Sequence, residues 1–255
     1  MSKISERLTK LGQTERSGFG FGARAANTKI PVILVGTNVD SPDQAKDLDA
    51  DLIILAADSS GAAQTKAVDG VEIWGVSVSG GSSKDLEAAV EAGADFIIVE
   101  GESAPGSALI DDDSGKGFVI GDAVSDERAK AIDAGPWDFL VLDGTSLTLP
   151  LSVGSVLDVQ EQLAKYSRHI FLQMSEVPDK TNLELLRDIG ISALIYDANS
   201  LAKADMVSLR ESIELLEPKK QKSNAGAILP QSGESGSQDA DLDDNDQDHD
   251  DEDWE

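Results

Sequence analysis

One motif recurs four times in this chain, and it limits the fold more than any other feature. Residues 49–58 read DADLIILAAD, 91–100 read EAGADFIIVE, 133–143 read DAGPWDFLVLD and 188–197 read DIGISALIYD. Each copy holds a turn, a short apolar run and a closing acid. The closing acids stand at 58, 100, 143 and 197, so successive copies lie 42, 43 and 54 residues apart. Self-similarity at such a period marks a repeated supersecondary unit.

Each period holds a second apolar run. Pro31–Gly36 precedes the first copy, and Glu72–Val78, Gly117–Asp122 and His169–Met174 follow between copies. The total is eight short runs rich in Val and Ile. Nearly continuous apolar runs of this length suit strands buried on both faces of a parallel sheet.

Helical patterns with readable ends separate the strands. Ser41-Pro42-Asp43-Gln44 offers a serine N-cap, a proline at the first helical position and a capping-box glutamine. Ser83 to Val90 leads into Gly93, and Ser125-Asp126-Glu127 puts acids at the positive end of a helix that stops near Gly135. Thr181-Asn182-Leu183-Glu184 reads as another capping box before Gly190, and Val153–Tyr166 and Leu201–Leu216 are longer amphipathic stretches. Ser59–Val68 and Ser103–Asp113 carry the faintest helical pattern. Eight strands alternating with about eight helices predict a (β/α)8 TIM barrel, with a doubly wound open sheet as the alternative. The fourfold two-strand unit favours the closed barrel.

The barrel is expected over residues 30–217, after an N-terminal extension over 1–29 in which Ile4, Leu8 and Leu11 have helical spacing. Residues 218–255 are expected to form a disordered acidic tail. Residues 223–255 hold twelve of the 48 acids and none of the 21 bases, leaving 36 acids against 21 bases elsewhere. The net charge of -27 opposes binding to phosphate backbones and anionic lipid, so neither nucleic acid nor membrane is an expected partner. A basic protein is the partner that the tail suits. In that tail Asp241, Asp243, Asn245 and Glu252 fall at calcium-loop spacing, but Asp246 replaces the required glycine. Cysteine is absent, which excludes disulfides, thiolate nucleophiles and zinc–thiolate sites. No secretory leader pattern or membrane-length apolar run is visible, so a cytoplasmic location is expected.

A barrel carries its function at the C-terminal ends of its strands. Those ends offer Asn38, Asp58, Ser79, Glu100, Asp122, Asp143, Gln173, Tyr196 and Asp197. Glu100, Asp122 and Asp143 are the candidate catalytic residues and the candidate ligands for Mg or Mn, cations that prefer oxygen donors. Asn38, Ser79, Gln173 and Tyr196 are the candidate substrate-binding residues. A cationic substrate, or acid–base work by shared protons, is equally compatible with such a rim. The plainer explanation is helix capping: Asp58 precedes Ser59-Ser60, and Asp197 precedes Asn199-Ser200.

Several chemistries find no residues. No lysine stands at a strand end for a Schiff base, and no arginine clamps a phosphate. His169 begins a strand, on the opposite face, and His249 is in the tail. The loops Ser175–Pro178 and Asp197–Asn199 lack the glycines of a barrel phosphate site. Ser79-Gly80-Gly81-Ser82-Ser83 opens a helix and suits an anion, or simply a tight turn. Gly18 to Gly22 is glycine-rich but precedes the first strand, outside the setting of a nucleotide loop.

The stretch Ala92-Gly93-Ala94-Asp95-Phe96-Ile97-Ile98-Val99-Glu100 resembles the helix-to-strand turn of the aldolase-type TIM-barrel superfamily. The resemblance spans about residues 30–216 and implies the fold, while many unrelated functions share it. The functional expectation is a metal-assisted lyase or isomerase acting on a small molecule at the acidic rim. The alternative is a non-catalytic barrel serving as a binding or scaffold module with an acidic recruiting tail. A flavin-binding barrel is a third reading.

Overall fold

A computed structural model describes residues 1–16, 27–46, 48–110, 113–121 and 123–219, which include one unit over Met1–Lys219. Eight parallel strands close into a barrel: β1 (Leu34–Val39), β2 (Leu52–Leu55), β3 (Trp74–Val78), β4 (Phe96–Val99), β5 (Gly115–Ile120), β6 (Phe139–Asp143), β7 (His169–Gln173) and β8 (Ile191–Asp197). Closure comes from β8 against β1, with Ala193 opposite Leu34 and Asp197 opposite Asn38. The open-sheet alternative is thereby excluded. The expectations placed on the acidic tail, including its disorder and its calcium-loop spacing, lie outside the described residues, as does the glycine-rich stretch after Ser17. No helix among the described residues is long and apolar enough to cross a membrane.

Strand alternation sorts the side chains into two layers. Leu34, Leu52, Ile54, Phe96, Ile98, Phe139, Val141, Phe171 and Ile195 fill the interior. Val35, Ile53, Leu55, Val76, Val78, Ile97, Leu140, Leu172 and Leu194 join the layer beneath the helices. Three aromatic rings anchor the interior: Phe139 stacks on Phe171 at 4.1 Å and meets Phe96 edge-on at 5.9 Å. A side chain at Gly75 would collide with the Phe96 ring, and one at Gly117 with Phe139, so the large residues of one strand require glycine on the next.

The helices are α1 (Lys3–Thr9), α2 (Pro42–Ala45), α3 (Ser83–Glu91), α4 (Asp126–Asp133), α5 (Val153–Leu163), α6 (Lys180–Ile189) and α7 (Lys203–Glu214). A short antiparallel pair, Thr14–Arg16 with Asn27–Lys29, precedes the barrel. Two β-to-β connections depart from the expected helix. The chain from β2 to β3 forms no α-helix among its described residues, and that from β4 to β5 forms only a 3-10 turn, Gly106–Leu109. In the first, Asp58 ties Ser60 and Ala62 into a turn, and the Gln64 amide donates to the carbonyls of Asp40 and Ala56. Those bonds hold the segment in place of a helical ladder.

Some expected boundaries shift. β1 begins at Leu34 rather than Pro31, and β5 runs Gly115–Ile120 rather than Gly117–Asp122. The α6 N-cap is Asp179, whose carboxylate accepts from Asn182 N, rather than Thr181. Ser82 and Asp85 form the capping box of α3, one residue before the expected serine. Gly93, just beyond α3, and Gly190, the C-cap of α6, adopt left-handed φ values of 101° and 104°.

The recurring aspartates have a structural task at the strand starts. Asp51, Asp95 and Asp138 immediately precede β2, β4 and β6. Asp51 accepts from Val35 N, and Asp138 accepts from Lys116 N, each at 2.8 Å, pinning the neighbouring strand. Asp95 turns to α1 instead and accepts from Lys3 N and Ile4 N, both at 2.8 Å. Ser5 Oγ donates to Asp138 at 2.9 Å. Ile4 and Leu8 then enter the base of the barrel and join the interior cluster. Burial holds the Asp51 carboxyl above its ordinary 3.8, against the opposing effects of Val35 N and the Arg210 guanidinium 3.2 Å away.

Candidate functional site

The opposite end of the barrel is polar and open. Past the aromatic layer the inward positions become Asn38 on β1, Ser77 on β3 and Asp197 on β8, with Ala56 and Glu100 just beyond β2 and β4. These residues, with Asp40, Asn199 and Ser200, line a cavity of about 470 Å³. Ser77 is buried and its Oγ accepts from Ala57 N at 3.0 Å, which fixes the floor. Asn38 Nδ2 donates to Asp197 Oδ1 at 3.2 Å, and Asn199 Nδ2 donates to Asp40 Oδ2 at 3.1 Å. The first pair joins β1 to β8, and the second joins the loop after β1 to the loop after β8. These two bonds use the amide nitrogens and one oxygen of each carboxylate, not the amide oxygens.

Glu100 stands between two cavities. It also lines one of about 460 Å³ with Glu102, Phe118, Val119, Val124 and Arg128. Glu102 is engaged there by Arg128, whose Nε donates to Oε1 at 2.9 Å. Glu100 itself is exposed, and its backbone N donates to Val78 O at 2.8 Å. Backbone pairing fixes the base of the residue while the carboxylate faces solvent.

The other expected site residues divide into several groups. Asp143 Oδ1 accepts from Thr145 N at 2.8 Å and Thr145 Oγ1 at 2.7 Å, a local turn, and neither Asp143 nor its strand neighbour Gln173 lines the two cavities. Ser79 lies above the barrel: its N donates to Gly61 O, and its carbonyl accepts from Ser103 Oγ. Tyr196 faces the helix layer, fully buried, with its hydroxyl 3.5 Å from Glu176 O, and burial pushes its phenol pKa up. Asp122 lies outside the described residues. Asp58 caps its own turn, and the Ser60 hydroxyl and the Ser60 and Ala62 amides hold its carboxyl below the usual range.

The sequence pattern points to Tyr196 and misses Asp40, Asn199 and Ser200. The available signal is parity. With Ala193 and Ile195 facing inward, Asp197 follows them in and Tyr196 faces out. On β1 the same count carries Leu34, Gly36 and Asn38 inward and on to Asp40.

Among the described residues the site carries no cationic clamp. No Lys, Arg or His is among the described residues that line the 470 Å³ cavity. No group of three His, Cys, Asp or Glu side chains suited to a metal ion stands among the described residues. Where barrels commonly hold phosphate, the loop after β7 presents Glu176 and the end of β8 presents Asp197 instead. The Glu176 carboxylate accepts from Leu149 N at 3.2 Å.

No protein-family model matches the chain, and no curated protein matches it. Solved structures do. KGPDC from Streptococcus mutans aligns with a TM-score of 0.54 at 9% identity, covering 71% of this chain and 97% of that one. The 3-keto-L-gulonate-6-phosphate decarboxylase from Vibrio cholerae aligns at 0.53 and 15% identity, covering 73% and 99%. A mutant tryptophan synthase alpha-subunit from Pyrococcus furiosus aligns at 0.52 and 12% identity, covering 72% and 97%. At these identities the likeness establishes the fold, a TIM barrel, and leaves the chemistry to this chain's own side chains.

Proposed function

We propose that the C-terminal mouth of the barrel is a binding site for a small hydrophilic molecule that carries a positive charge, an amine being the simplest case. One observation carries the reading: the 470 Å³ cavity is lined by three carboxylates and two carboxamides and by no described cationic side chain. Asp40, Glu100 and Asp197 supply the negative field, and Asn38, Asn199, Ser77 and Ser200 supply directional hydrogen bonds. A phosphorylated substrate of the kind the Vibrio cholerae decarboxylase is named for would meet acids where it needs cations.

Catalysis in such a site falls to Glu100, which is in the wall of both cavities and free of a local turn. Proton transfer by its carboxylate suits a lyase or isomerase. The finer expectation of Mg or Mn assistance draws less support. It needs Asp143, which Thr145 already engages, together with Asp122.

Calorimetry with putrescine and ethanolamine, set against glucose 6-phosphate, tests the proposal. An amine is expected to bind saturably, and Glu100→Gln or Asp197→Asn to weaken it about tenfold, the loss of one charge-assisted contact. Tighter binding of the phosphosugar, or amine binding unchanged in both variants, overturns it. Amine binding without turnover of any amine substrate favours a binding module over an enzyme.

A further inference from the structure

Behind the mouth lies a second, smaller cavity that the proposed function does not use. It measures about 150 Å³ and sits between β1, the loop after β8 and α7. Leu48, Ala198, Leu201, Met206 and Val207 give it mostly apolar walls, and its one charged lining residue, Asp49, is paired with Arg210 at 3.2 Å. Thr37 also lines it. The Thr37 side chain is fully buried, and its Oγ1 is the one buried side-chain polar atom among the described residues without a hydrogen-bond partner.

A buried hydroxyl with no partner is costly, and valine would fill the same space without that cost. Val35 and Val39, two residues away on the same face of β1, show that valine suits this layer. A cavity of this size with mostly apolar walls holds a molecule about as large as benzene. We propose that it binds a small, neutral, largely apolar molecule carrying one hydrogen-bonding group, which meets Thr37 Oγ1.

The cavity shares its walls with the mouth. From the end of β8 into the following loop, Asp197, Asn199 and Ser200 line the mouth, whereas Ala198 and Leu201 line the rear cavity. On β1, Asn38 faces the mouth and Thr37 the rear. An occupant of the rear cavity therefore presses on the segment that positions Asn38, Asp197 and Asn199.

NMR titration of the labelled full chain with phenol and with toluene tests the proposal. Phenol is expected to shift the methyl signals of Leu201, Met206 and Val207 saturably, and to move the amides of Asn199 and Ser200 with the same midpoint. The unmodified protein should prefer phenol over toluene about fivefold, and Thr37→Val should abolish that preference while toluene still binds. Absence of saturable shifts with both probes overturns the proposal. So does equal binding of phenol and toluene by the unmodified protein, a result that needs no variant to fold. An unchanged phenol preference in Thr37→Val also overturns it.

Discussion

The two ends of the barrel use the same residue type for opposite purposes. At the base, the carboxylates of Asp51, Asp95 and Asp138 each accept from backbone N–H groups, and α1 seals the opening with Ile4 and Leu8. At the mouth, Glu100 and Asp197 line an open cavity, and the Asp197 carboxylate meets the side-chain amide of Asn38. Satisfied carboxylates organise the fold, whereas the under-satisfied ones line the open cavity. At the mouth end the two uses stand side by side, since Asp58 and Asp143 are engaged in local turns while Glu100 and Asp197 line the cavity.

That contrast can be broken by substitution. Phe139→Ala removes the central ring of the interior stack and is expected to cost about 4 kcal/mol, read by urea unfolding. Asp95→Ala removes two charge-assisted bonds to the start of α1 and is expected to cost about 2 kcal/mol in the same assay. Glu100→Gln should change stability by no more than about 0.5 kcal/mol while weakening amine binding. A large stability loss in Glu100→Gln, or none in Asp95→Ala, would erase the distinction between the two ends.

Much of this architecture is legible in the chain. The eight apolar runs are the eight strands, because a strand covered on both faces needs nearly continuous apolar sequence. The α1 plug is legible in the spacing of Ile4 and Leu8. The missing helices after β2 and β4 are harder to read, since the stretch from Ser59 to Val68 is held by Asp58 and Gln64 through bonds that propensity does not express. The site is partly legible: Asn38 and Glu100 follow from strand ends, but Tyr196 and Asp197 differ only in which way a neighbouring residue faces. The pairing of Asn38 with Asp197 joins residues 159 apart, a distance that barrel closure alone brings to one place.

The plug at the base also bears on how the molecule assembles. Helix α1 has seven residues, too few to persist alone in water, and its anchoring bonds reach Asp95 and Asp138 across 91 and 133 residues. A segment synthesised before every barrel strand thus cannot make these bonds until the residues that lead into β4 and β6 exist. Until then the interior cluster of Phe96 and Phe139 lacks the cover that Ile4 and Leu8 give it. A bulky domain fused ahead of α1 would therefore hinder maturation more than it would disturb the finished barrel.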